Sequence, residues 1–98
     1  MNKENLKEFF SFLHEHLKID VDAVKILIGE DGTVYIPKEE TKLPPEVAVW
    51  CEVKSVLVEE ESEEELNFIP HLALSPKRGT LIEKRWKELW NSLKGGER

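Results

Sequence analysis

Apolar residues recur at three- and four-residue steps at both ends of this chain, and at two-residue steps between them. Leu6, Phe9, Phe10, Leu13 and Leu17 fall on one helical stripe that Phe12 widens, which predicts a helix over 4–18. Glu4 and Glu8 near its start and Lys18 near its end suit the helix dipole. Ile82, Trp86, Leu89, Trp90 and Leu93 make a second stripe and predict a helix over 80–94. Thr80 and Glu83 stand at capping-box spacing before it. Glu83 and Lys87, and Lys84 and Glu88, lie four residues apart along it. Gly95-Gly96 ends it.

Between the helices the period changes to two. Val24, Ile26 and Ile28 alternate with Lys25 and Leu27, and Thr33-Val34-Tyr35-Ile36 returns after Glu30-Asp31-Gly32. Strands over 24–29 and 33–37 joined as a hairpin follow, with Gly32 free to take a positive φ and Pro37 stopping the ladder. A helix over 20–28 competes, but the Val/Ile content and the Asp-Gly turn favour strand. Lys38–Glu46, with Pro44-Pro45, reads as a loop. A third strand is expected over 47–58, with Val47, Val49, Cys51 and Val53 on one face and Ala48, Trp50, Glu52 and Lys54 on the other. Val56 and Val58 break that alternation, so a bulge is expected near Lys54-Ser55. Phe68–Leu74 has the length of a fourth strand, and Pro70 would confine it to an edge.

The predicted fold is α+β: one domain over 1–98, a two-layer sandwich of a three- to four-stranded antiparallel meander with an N-terminal and a C-terminal helix. The order is α-β-β-β-(β)-α. That order is similar to the topology of small chaperone-like α+β dimers that hold partner segments. The resemblance is topological and transfers no residue.

Composition adds a charge division. Residues 1–76 carry 7 Lys/Arg against 17 Asp/Glu, whereas 77–98 carry 7 against 3. The acid peaks at Glu59, Glu60, Glu61, Glu63, Glu64 and Glu65 around Ser62. A net charge of −6 argues against a general nucleic-acid binder. Charged residues make up 35% of the chain and glutamine is absent, a balance that points to a heat-adapted source. One cysteine excludes an intrachain disulfide and suits reducing, cytoplasmic surroundings. The longest apolar run, Val47–Cys51, is far too short to span a bilayer, and the first residues lack a signal-peptide core.

Candidate chemistry is sparse. His14 and His16 stand two apart on a helix, about 200° around the axis, and so cannot chelate one ion. His71 has no predictable partner. The acids at Asp20, Asp22, Glu30 and Asp31 lack the oxygen ladder of a calcium loop. Cys51 alternates with valines, which predicts burial and no activating base. No phosphate-binding glycine loop or nucleophile motif is present. The chain reads as a non-enzymatic module with no cofactor and no metal.

Two contact surfaces stand out. Leu27, Tyr35 and Trp50 are expected on the sheet face away from the helices, where exposed aromatics mark interfaces. Lys77, Arg78 and Arg85 form a basic surface, expected to meet the protein's own acid. The leading expectation is a small acidic protein–protein interaction module, a homodimer that also holds an unidentified protein partner. One alternative is an acidic regulator or inhibitor of a nucleic-acid-binding protein, acting through residues 59–65. The other is direct nucleic-acid contact through the basic C-terminal helix.

Overall fold

The computed structural model describes residues 3–61 and 66–95. Two 15-residue helices, α1 (Lys3–Leu17) and α3 (Leu81–Gly95), flank a four-stranded antiparallel sheet. The strands are β1 (Leu27–Ile28), β2 (Val34–Pro37), β3 (Cys51–Glu61) and β4 (Leu66–Pro76), and one helical turn, α2 (Val47–Trp50), precedes β3. The α+β class and the terminal helices are those that the periodicity predicts.

The helices bury the stripes read from their spacing. Phe9, Phe12, Leu13 and Leu17 of α1 meet Trp86, Leu89 and Leu93 of α3 over Val34, Ile36, Leu74 and Cys51 of the sheet. Trp86 sits at the centre, with the rings of Phe9 and Phe12 each 6.1 Å away and edge-on. Its indole N–H donates to the Gly32 carbonyl at 2.9 Å, which fixes α3 to the β1–β2 turn. Thr80 Oγ1 accepts the Glu83 amide at 3.0 Å, and the Glu83 carboxylate accepts the Gly79 amide at 3.1 Å. That second bond, with Lys87 nearby, holds the Glu83 carboxyl below its ordinary value. The reciprocal cap is thus present, with its backward arm reaching Gly79.

Four details differ from the sequence expectation. The first strand shrinks from 24–29 to Leu27–Ile28. Asp20 takes the preceding residues into a turn, its carbonyl accepting the amides of Ala23 and Val24 and its side chain accepting that of Asp22. The third strand starts at Cys51 rather than residue 47. Pro44 and Pro45 pre-set helical φ, and their carbonyls accept the amides of Val47 and Ala48, so Val47–Trp50 coils despite its branched residues. Val49 is consequently 75% exposed and does not share a face with Cys51.

Third, there is no bulge near Lys54-Ser55. The β3–β4 register runs unbroken from Cys51↔Pro76 to Glu61↔Leu66. Val56 and Val58 share a face with Glu52 and Lys54 because that face turns apolar along the strand.

Fourth, the segment around Phe68–Leu74 is not an edge. It extends to Leu66–Pro76 and lies between β2 and β3, giving the order β1-β2-β4-β3. The strands therefore form two hairpins joined through β2 and β4. Pro70 is tolerated there for a geometric reason. Its carbonyl accepts from the Lys38 amide at 3.1 Å, just past the end of β2. A strand residue turns its N and its C=O to the same side. The missing N–H thus falls where β2 has ended, and the ladder to β3 loses nothing.

Candidate functional site

The β3–β4 hairpin outruns the rest of the sheet. Its strands have 11 residues each, whereas β2 has four and pairs only with Leu74 to His71. The radius of gyration, 13.9 Å, exceeds the roughly 12.6 Å expected for a compact chain of this length. On the helix-side face Leu74 is fully buried, but Leu57 and Phe68, nearer the hairpin tip, are 66% and 60% exposed. The helices reach only the inner half.

β3 is also a sheet edge. The Trp50 carbonyl accepts the Lys77 amide at 2.8 Å, which fixes the phase of the ladder. Alternate residues on β3 turn both backbone groups toward β4, so Glu52, Lys54, Val56, Val58 and Glu60 pair inward. Val53, Ser55, Leu57 and Glu59 turn theirs outward. Among the described residues no strand pairs with that side. Sheets normally protect such an edge because it invites another strand. Here the devices are charged side chains, Glu52, Lys54, Glu59 and Glu60, with apolar Val56-Leu57-Val58 between them.

The opposite sheet face is concave. A cavity of about 480 Å³ opens between Leu27, Ile28, Gly29 and Tyr35 on one side and Val56, Leu57 and Val58 on the other. The two outer strands, β1 and β3, therefore border one groove. A smaller hollow of about 230 Å³ adjoins it, lined by Lys25, Glu60 and His71 among others. Lys25 Nζ lies 3.7 Å from Glu60 Oε1 and bridges the two edges. His71 is 5% exposed, and its Nδ1 donates to the Ile69 carbonyl at 2.8 Å. Burial here gives that histidine a backbone partner that its sequence position did not reveal.

Of the residues singled out from sequence, Leu27 and Tyr35 do line the groove, half-buried. Trp50 does not join them, because it belongs to α2 and not to the sheet. It is half-buried against the core, with the His16 ring 6.3 Å away. Glu59, Glu60 and Glu61 are strand residues of β3 rather than part of a loop. Glu63, Glu64 and Glu65 lie outside the described residues. Lys77 and Arg78 are exposed beside β4. Arg85 meets the protein's own acid, but on the helices: Glu8 at 2.8 Å and Glu88 at 3.5 Å. At half exposure each such pair contributes at most about 1 kcal/mol. Glu88 thus faces Arg85, while Glu83 takes Lys87 at 3.4 Å, as the four-residue spacing predicts. The surface residues missed are Val53, Val56, Leu57, Val58 and Phe68. Their signal was the unbroken apolar triplet 56–58 after Lys54-Ser55, which puts apolar side chains on both faces of one strand.

His14 and His16 diverge: His14 Nδ1 donates to the Ile19 carbonyl at 2.9 Å, and His16 packs on Phe12 with ring centroids 4.5 Å apart. Among the described residues no three metal-ligating side chains converge, and no helix is long and apolar enough to cross a membrane. Cys51 is 1% exposed, and burial pushes its thiol up from an ordinary 9.0 to about 11. Two outcomes follow. The folded protein should resist thiol reagents at pH 8, whereas the urea-unfolded chain should react at once. Above pH 9 the unfolded chain releases the thiol proton while the fold retains it, so stability should fall from 9 toward 11. The loss should be as much as about 2 kcal/mol. Urea titrations at pH 8 and pH 10.5 should show a larger difference for the wild type than for Cys51→Ala.

No family model matches the chain, and no curated protein or solved structure gives a significant match.

Proposed function

We propose that this protein is a small non-enzymatic protein–protein interaction module whose contact surface is the outer half of the β3–β4 hairpin. The observation that carries the proposal is the open edge of β3. An 11-residue strand turns the backbone groups of Val53, Ser55, Leu57 and Glu59 outward, and the Leu57 side chain among them is exposed. An extended segment added to such an edge gains main-chain hydrogen bonds, and flanking side-chain positions select among partners. The apolar groove bordered by the same strand widens the surface available to that segment.

Leu57→Pro tests this directly. Leu57 turns its N–H outward, so proline there removes no bond to β4 and the fold survives. Tagged wild-type protein should retain a protein partner from extract of the native host, whether another chain or a second copy of this one. Leu57→Pro should lose at least about tenfold of that binding, since it removes an outward donor and the apolar side chain. A control at an exposed position away from the edge, Val49→Lys, should bind as wild type does. Equal retention by Leu57→Pro and Val49→Lys, or none by the wild type, would overturn the proposal.

A further inference from the structure

We infer that the β3 edge pairs with the β3 edge of a second copy, antiparallel about a two-fold axis at Leu57. The inference rests on the interaction surface proposed above and names its occupant.

Charge and hydrogen-bond phase select both the partner and the register. The outward backbone groups belong to odd-numbered residues, so a second β3 must set odd positions opposite odd ones. Every two-fold centred on a residue allows that; among centres that pair at least seven residues of each strand, residue 54 sets Lys54 against its own counterpart, which leaves 55, 56, 57 and 58. Centring on Ser55 faces Lys54 with Val56 and Glu52 with Val58 of the second copy, so neither charge meets its opposite. Centring on Val56 sets Glu52 against Glu60, like against like, which opposes pairing. Centring on Val58 faces Glu59 with Leu57 and Glu60 with Val56.

Centring on Leu57 sets Val53 opposite Glu61 at the strand ends but avoids the like-charge pair and gives Lys54 an acidic partner. Lys54 then faces Glu60 of the second copy twice over, Val56 faces Val58, and Leu57 faces its own counterpart. Opposite charges and aliphatic pairs directly across antiparallel strands favour association. The match extends to the other face. Ser55 faces Glu59 of the second copy, and Ser55 already carries Lys38, whose Nζ donates to its hydroxyl at 3.2 Å. Within one chain Glu60 is bridged to Lys25. In the pair it would lie between that lysine and Lys54 of the second copy.

The self-complementarity is what a two-fold interface requires, because each position meets its counterpart's match. The sheet grows to eight strands, and the open β3 edge is closed. The groove changes too. Val56 and Val58 line it in each copy, so pairing them side by side joins two grooves into one continuous apolar concavity.

Sedimentation equilibrium combined with cysteine cross-linking tests the register. In a Cys51→Ala background, Leu57→Cys places two thiols opposite each other, within disulfide reach for directly paired strands. Ser55→Cys places them four residues apart along the strands, out of reach. The wild type should sediment as a dimer. Mild oxidation should cross-link Leu57→Cys and leave Ser55→Cys as separate chains. Lys54→Glu should raise the dimer dissociation constant about tenfold, and adding Glu60→Lys should recover most of it. Circular dichroism confirms folding, which these exposed positions leave intact. A monomer throughout the accessible concentration range overturns the inference. So does a dimer that fails to cross-link through Leu57→Cys, or one that cross-links through Ser55→Cys. A monomer whose partner capture still depends on Leu57 would remove the self-pairing and leave the contact surface standing.

Discussion

Trp86→Ala is expected to cost about 4 kcal/mol of folding stability, the middle of the range for deleting a buried aromatic ring. Trp86 is 2% exposed and packs edge-on against Phe9 and Phe12. Deleting the ring opens a cavity between the two helices and also orphans the Gly32 carbonyl, which receives the indole N–H at 2.9 Å. A domain of this size holds only about 5–15 kcal/mol in all. Trp86→Ala should therefore be marginal at 25 °C. Trp86→Phe separates the two contributions: it keeps most of the apolar volume and loses the donor, at about 1–3 kcal/mol. Urea titration followed by circular dichroism measures both. A loss under 1 kcal/mol for Trp86→Ala would contradict the packing described here.

Gly32→Val is the second large effect, expected at about 3 kcal/mol. Gly32 has φ +88°, a region costing residues with a Cβ about 1–2 kcal/mol. A Cβ built there would stand 3.2 Å from Cγ and Cδ1 of Trp90, so the ring must shift. Valine adds two methyl groups to that contact, and overpacking of this kind costs about 1–3 kcal/mol. Gly32→Ala should lose less than Gly32→Val, because it keeps the dihedral strain but adds only the Cβ. Since Gly32 also accepts from Trp86, the losses from changing both residues should fall short of additive in the same titrations.

The helices were legible because each buries a single stripe and carries its own caps. Leu13 and Trp86 are core residues for the reason that their spacing announces. The β1–β2 turn was equally local: the Gly29 amide donates to the Thr33 carbonyl at 2.8 Å, and Asp31 accepts the Thr33 amide. The misreadings all depend on what a strand has for neighbours. Pro70 signals an edge only if its missing N–H would have met a partner, and here β2 stops one residue short of that need. Val47–Trp50 has strand-forming residues, but Pro44 and Pro45 stand where a helical turn begins. Val56 and Val58 are out of phase only in a sheet with one apolar face. On their own face β3 sets them between charged Lys54 and Glu60.

The candidate site was legible in part for the same reason. Leu27 and Tyr35 line the groove because their hairpin register could be read from the turn. Trp50 left the surface once its segment coiled. Leu57 was invisible as a contact because exposure at a strand edge is decided by strand order, and the placement of β4 between β2 and β3 is a long-range outcome. The charge division also changes meaning. Part of it is matched within the chain, by Arg85 with Glu8 and by Lys25 with Glu60. On β3, Lys54 and Glu59 lie along the same open edge as Glu60.

The most direct measurement is amide hydrogen exchange along β3 as protein concentration is varied. Val53, Ser55, Leu57 and Glu59 turn their N–H groups outward, whereas Lys54, Val56 and Val58 bond β4. The expected result is slow exchange for the second group at every concentration. For the first group exchange should be fast when dilute and at least about tenfold slower when concentrated, as unpaired edge amides acquire partners. Fast exchange of Val53, Ser55, Leu57 and Glu59 at every concentration, in a protein that nonetheless self-associates, would contradict the assignment of the β3 edge as the contact surface.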